Sequence, residues 1–157
     1  MHIGVQLLQE MDGHTAGRQL LENMYAKYVG GQLPEILVTE RGKPYFAQGG
    51  WHFSISHTKR RVFCVLSRHN VAVDAEEVDR QPDLHLADKI LSPRERQYYD
   101  RAQDKTAALL RFWVLKEAAA KLSGKGLQGY PKDTEFDPDD PRVTVRDNCY
   151  VAVMEKE

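Results

Sequence analysis

Cysteine is almost missing from this chain. Only Cys64 and Cys149 occur among 157 residues, with no C-x-x-C spacing, which argues against a zinc site or a disulfide framework and fits a reducing cytosol. A surplus of charge is missing too. The 22 Lys+Arg and 23 Asp+Glu leave a net charge of −1, so nothing pushes the chain toward nucleic acid or an anionic membrane. No apolar run approaches the roughly 20 residues of a membrane-spanning helix. The opening residues 1–10 lack the charged start and long apolar core of a secretory signal. No repeat and no linker long enough to divide the chain is found. The expectation is one cytoplasmic domain, with 41% hydrophobic and 29% charged residues, enough to build a core.

The hydrophobic patterning predicts an α+β fold, mainly antiparallel strands with one long helix packed on them. His2–Leu8 alternates as a first strand, and Thr15–Tyr28 places Leu20, Leu21, Met24 and Tyr28 on one helical face, stopped by Gly30-Gly31. Strands are expected at Glu35–Thr39, His52–Ser56, Arg61–Ser67 and Val71–Glu77, the last two joined by Arg68-His69-Asn70 as a hairpin connection. Ser92-Pro93-Arg94-Glu95 reads as a capping box with proline at the first helical position. A longer helix is predicted over Asp104–Ser123, ending at Gly124. An acidic loop follows from Pro131 to Pro141, then closing strands at Val143–Val145 and Tyr150–Val153.

Three segments break local rules. On a strand over Val71–Glu76, Asp74 and Glu76 share a face, roughly 6.6–6.8 Å apart along the backbone. Two adjacent carboxylates repel unless a cation lies between them, and a hard cation such as magnesium takes oxygen ligands of this kind. Alone, the pattern is more often an edge strand with a solvated acidic face. On the long helix, Phe112, Leu115, Ala119 and Leu122 form a core arc, while Trp113, Glu117 and Lys121 make a separate stripe that Gly124 continues, with Lys116 to one side. That stripe is either an ordinary Glu–Lys surface pair or a face turned to protein or ligand. The third segment is Phe53-Ser54-Ile55-Ser56-His57-Thr58, polar where a strand ends. Ser56 and His57 point to opposite faces and cannot pair as nucleophile and base.

In this order, the segments Gly42-Lys43-Pro44, Phe53–Thr58, Val73-Asp74-Ala75-Glu76, Leu91–Glu95, Trp113–Lys121 and Gly124-Lys125-Gly126-Leu127, with Cys149–Val153, resemble the surfactin-type 4′-phosphopantetheinyl transferases from Gly42 onward. The resemblance implies transfer of the phosphopantetheine arm of coenzyme A to a serine of an apo acyl or peptidyl carrier protein, with release of 3′,5′-ADP. It implies Asp74, Glu76 and Glu117 as ligands of magnesium, or manganese in its place. Lys116 and Lys121 would neutralise the pyrophosphate, and Glu117 would act as the base for the carrier serine. Lys43, Ser56 and His57 would hold the adenosine and phosphate end of coenzyme A, and Trp113 would pack the pocket wall. Glu95 is explained by its capping box and stays outside the catalytic set. The implied fold is two small lobes related by a pseudo-two-fold, about Met1–Asn70 and Val71–Glu157, with the coenzyme A site between them in a monomer.

The chain departs from the family pattern in three respects. Ala72 stands where the family has glycine, and the chain is short, with the loss falling before Gly42 and after Leu127. The stretch Leu8–Gly13 holds no lysine or arginine for the coenzyme A 3′-phosphate, which leaves Arg18 and Arg41 as the nearest candidates. Carrier docking is expected between Arg80 and Lys105, where Arg94, Arg96 and Arg101 would meet an acidic helix, although a solvated face explains them as well. The rival readings are a coenzyme A-binding module without catalysis, a magnesium-dependent pyrophosphate hydrolase, and a partner-binding scaffold.

Overall fold

The structure, a computed structural model, describes residues 1–126 and 132–157. Leu127, which ends the glycine-lysine motif, and Pro131, which opens the expected acidic loop, lie outside the described residues. The chain runs β1 (His2–Leu7), α1 (Gly13–Tyr28), β2 (Ile36–Val38), β3 (Pro44–Phe46), β4 (His52–His57), β5 (Arg61–Ser67), β6 (Asn70–Glu77), α2 (Leu86–Ile90), α3 (Pro93–Arg101), α4 (Lys105–Ser123), β7 (Val143–Arg146) and β8 (Cys149–Lys156). Two antiparallel three-stranded sheets dominate, ordered β1-β5-β4 and β6-β8-β7, with a small β2-β3 hairpin beside them. Among the described residues, no helix is long and apolar enough to cross a membrane.

β5 explains much of this order. Its run Val62–Leu66 is wholly buried. Side-chain alternation sends Val62, Cys64 and Leu66 into one core with Leu20, Leu21 and Met24 of α1. Phe63 and Val65 enter a second core with Val71, Val73 and Ala75 of β6. The expectation of a β5–β6 hairpin is therefore corrected. β5 is paired on both edges, by β1 and β4, so its ladder is full and β6 pairs with β8 instead, Asp74 opposite Ala152 and Glu76 opposite Tyr150.

Helix ends follow side-chain chemistry. Asp12 caps α1, accepting from the Thr15 N–H at 2.8 Å, so the helix starts two residues before the expected Thr15. Tyr28, placed by periodicity on the core face, is 38% exposed and stacks on His2. Asp104 caps α4, and Gly124 closes it at φ 71°, a left-handed conformation where glycine carries no Cβ penalty. Its N–H reaches the carbonyls of Ala120 and Lys121. The predicted capping box at Ser92 and Glu95 is present in full. Two elements and one extension had no clear sequence signal: β3 and α2, five residues or fewer, and the run of β8 on to Lys156.

Candidate active site

β4 and β6 pack side by side, yet each spends its ladder on another strand, β5 and β8 respectively. Side chains join them instead. Ser54 and Ser56 share a face of β4, and their hydroxyls accept the N–H groups of Val73 at 3.1 Å and Ala75 at 3.2 Å. From α4, the Lys121 ammonium donates to the carbonyls of Ile55 at 3.4 Å and Val73 at 3.0 Å and to Asp74 Oδ1 at 3.2 Å. Lysine carries three N–H donors, so each has an acceptor at this seam.

Asp74 lies at the centre of the junction, 7% exposed. Its Oδ1 also accepts from the Ser56 hydroxyl at 3.3 Å, while Oδ2 is buried with no hydrogen-bond partner. Burial pushes the Asp74 carboxyl up to about 6; the Glu76 charge adds to the rise, and Lys121 and Ser56 oppose it. Burial also raises Glu117 on α4, to about 7, with the charges of Asp74 and Glu76 adding to it. The three acids feel one another. They do not converge: among the described residues, no three His, Cys, Asp or Glu side chains form a group that could hold a metal. Glu76 is engaged elsewhere, in an ion pair with Arg80 four residues on. A cation nonetheless suits the donor set, because Asp74 Oδ2 is left without a partner and the charges of Asp74 and Glu76 still raise Glu117 despite Lys121 and Arg80 nearby.

A cavity of about 360 Å³ opens at the end of α4, lined by Glu117, Lys121, Lys43, Arg41, Phe53 and Ile55 among others. Lys43 holds its far wall: its ammonium donates to Asn70 Oδ1 at 2.8 Å and to the Leu122 carbonyl at 3.2 Å, tying the β2-β3 hairpin to the end of α4. Arg41 donates to the Lys125 carbonyl at 3.4 Å. A second recess, about 580 Å³, lies around His57, Lys59, Glu76 and Arg80. The exposed His57 ring packs on the start of α1, where a Cβ on Gly13 would stand 2.4 Å from it.

Several expected site residues lie elsewhere or act differently. Lys116 is 0% exposed, so it cannot meet a pyrophosphate in the cavity. Its ammonium lies 2.6 Å from Glu95 Oε1 and 2.6 Å from the Thr134 carbonyl. Glu95 is more than a cap, since its other oxygen accepts the Phe136 N–H at 2.8 Å. Trp113 packs against the core formed by Ala87, Ile90, Leu109 and Phe112 rather than on the cavity wall, so the predicted stripe is split: Glu117, Lys121 and Gly124 reach the cavity and Trp113 does not. The Ser56 hydroxyl is committed to Asp74 and the Ala75 N–H. Arg18, on α1, lines neither recess. Asn70, Arg80 and Ser54 were missed, because their roles depend on neighbours distant in sequence or on a turn of the chain after β6.

The sequence profile of the 4′-phosphopantetheinyl transferase superfamily matches residues 70–152, more than half of the chain. The chain belongs to this superfamily. The match contains Asp74, Glu76, Glu117 and Lys121, whereas Arg18, Arg41, Lys43, Ser56 and His57 precede it. Among curated relatives, the 4′-phosphopantetheinyl transferase HetI of Nostoc sp. is 30% identical over 123 residues, 72% of this chain and 52% of the relative. The transferase psf-1 of Bacillus pumilus is 32% identical over 142 residues, 85% of this chain and 58% of the relative. The Bacillus subtilis 4′-phosphopantetheinyl transferase is 33% identical over 95 residues, 57% of this chain and 41% of the relative. The chain thus spans about half the length of the transferases it matches.

Proposed function

We propose that this chain transfers the 4′-phosphopantetheine group of coenzyme A to a serine hydroxyl of an apo acyl or peptidyl carrier protein. The observation that carries the reading is the cavity in which Glu117 and Lys121 stand beside the Asp74 junction, in a chain of this superfamily. The serine oxygen forms a bond to the β-phosphorus as the bond from that phosphorus to the bridging oxygen breaks, and 3′,5′-ADP departs with the electron pair. Glu117, raised to about 7, is matched to taking the serine proton near neutral pH. Lys121 supplies charge to the pyrophosphate from the cavity floor, while Lys43 and Arg41 face the coenzyme from the hairpin side. His57 serves the phosphate end from the second recess. Lys116 takes no part in contact with substrate.

Magnesium, or manganese in its place, would be held by Asp74, Glu76 and Glu117, and would supply Lewis-acid stabilisation of charge on the phosphoryl oxygens. We read the chain as one transferase unit of two pseudo-two-fold lobes, about residues 1–70 and 71–157, acting as a cytoplasmic monomer. The presence of a three-stranded sheet with its own helix in each half supports this. The near-zero net charge gives no reason to add a nucleic-acid or membrane partner. A coenzyme A-binding module without catalysis is less well supported, because Asp74, Glu76, Glu117 and Lys121 are all present. The test is incubation with coenzyme A, Mg²⁺ and a panel of apo carrier proteins, followed by intact-mass measurement. A phosphopantetheine mass gain that vanishes in Asp74→Ala and Glu117→Ala is expected; coenzyme A binding without any mass gain would move the assignment to the binding module.

A further inference from the structure

Ser54 and Ser56 make the same bond to β6 but stand in different relation to Asp74. Each hydroxyl accepts one backbone N–H, Val73 for Ser54 and Ala75 for Ser56. A serine hydroxyl has a single proton to donate, and that of Ser56 goes to Asp74 Oδ1 at 3.3 Å. Lys121 reaches the same oxygen at 3.2 Å from the other side. With two donors on Oδ1, the carboxylate is pinned in rotation, and Oδ2 stays buried with no partner. A buried acceptor without a donor is costly, and a carboxylate free to turn would share its donors between both oxygens.

We propose that Ser56 is a positioning residue, which pins Asp74 through Oδ1 so that Oδ2 alone is left to ligate a divalent cation. This replaces the sequence expectation that Ser56 contacts coenzyme A, and it rests on the cation reading given above. Residues that orient a metal ligand without touching the metal commonly govern affinity. Asp74 is therefore a one-oxygen ligand, and Ser54, which bonds the seam and lines the cavity, makes no bond to Asp74.

The experiment titrates Mn²⁺ into the purified chain and reads free ion by electron paramagnetic resonance, without turnover. Ser56→Ala is expected to weaken Mn²⁺ binding about tenfold, the lower end of such effects. Ser56→Thr, which keeps the hydroxyl, should restore it. Ser54→Ala loses an equivalent seam bond and should leave Mn²⁺ affinity unchanged, with coenzyme A affinity of Ser56→Ala also unchanged. Equal weakening in Ser54→Ala and Ser56→Ala would overturn the proposal by assigning both serines to the seam. Unchanged Mn²⁺ affinity in Ser56→Ala would overturn it alone, whereas no Mn²⁺ binding by the wild-type chain would overturn the cation reading with it. Circular dichroism checks folding, and if Ser56→Ala does not fold, the nearly isosteric Ser56→Cys, a weaker donor, takes the same titration.

Discussion

The Lys121 ammonium lies 3.2 Å from Asp74 Oδ1 while donating to the carbonyls of Ile55 and Val73. One side chain of α4 thus joins both sheets and balances the most buried acid of the site. Holding the junction together and offering charge to a substrate are here the work of a single group.

Removing that group should show in both stability and turnover. Lys121→Ala leaves Asp74 without its counter-charge, and a loss of about 1–3 kcal/mol in urea unfolding is expected, below the value for a fully buried pair because Lys121 is partly exposed. Carrier modification by intact mass should fall by at least about 100-fold, as for loss of a preorganised electrostatic group. Unchanged modification in Lys121→Ala would remove it from the phosphate-binding role.

The two raised carboxyls set a pH dependence of stability. In the unfolded chain Asp74 and Glu117 titrate near 3.8 and 4.5, and in the folded chain near 6 and 7. The folded state therefore binds more protons between about pH 4 and pH 7, and without divalent cation stability falls as pH rises through that window. A loss of on the order of 2–4 kcal/mol is expected, discounted for the partly exposed Glu117. Asp74→Asn/Glu117→Gln should flatten the profile, and added Mg²⁺ should oppose the fall. Chemical denaturation at pH 4.5 and 7.5 measures this.

The same titration bears on turnover in the opposite direction. Glu117 must be ionised to accept the serine proton, so kcat should fall on the acid side, at a pH below the cation-free value of about 7 because a bound divalent cation favours the ionised form. An acid limb that does not move when the divalent cation concentration is changed would argue for another base.

The pair Lys116 and Glu95 is expected to behave as structure. Lys116→Met leaves a buried carboxylate with its cation removed, costing about 3–5 kcal/mol. Lys116→Met/Glu95→Gln should recover part of that loss. In whatever fraction folds, the KM for coenzyme A should stay within about twofold of wild type; a selective rise in KM would restore the substrate role that the sequence implied.

At the coenzyme A end, Lys43 and Arg18 should separate. Lys43→Ala removes both a cavity wall and the tie from hairpin to α4, so the coenzyme A Kd by calorimetry should weaken about tenfold, the loss of one hydrogen bond to a charged group. Arg18→Ala should leave it unchanged, because Arg18 lines neither recess. With no basic residue in 8–13, wild-type affinity should already be modest, and removal of the 3′-phosphate from the ligand should cost little.

What the sequence determined by itself is much of what depends on near neighbours. Ser92 and Asp104 with Gly124 mark helix ends through bonds within three or four residues. The alternation of β6 sets Asp74 and Glu76 on one face, and the helical spacing sets Glu117 and Lys121 on another. The ordered motifs implied the family to which the chain belongs. What only the tertiary structure decided depends on contacts remote in sequence. Lys116 and Lys121 are five residues apart on one helix and equally charged. Whether each meets a substrate or a buried partner depends on the rotation of α4 against β6 and α3, and the structure gives Lys121 to Asp74 and Lys116 to Glu95. Likewise, Arg61–Ser67 and Val71–Glu77 look like a hairpin until β1 and β4 fill both edges of β5. Local periodicity constrains which side a residue faces; what stands on that side is set by burial and by the competition of remote groups for the same hydrogen bonds.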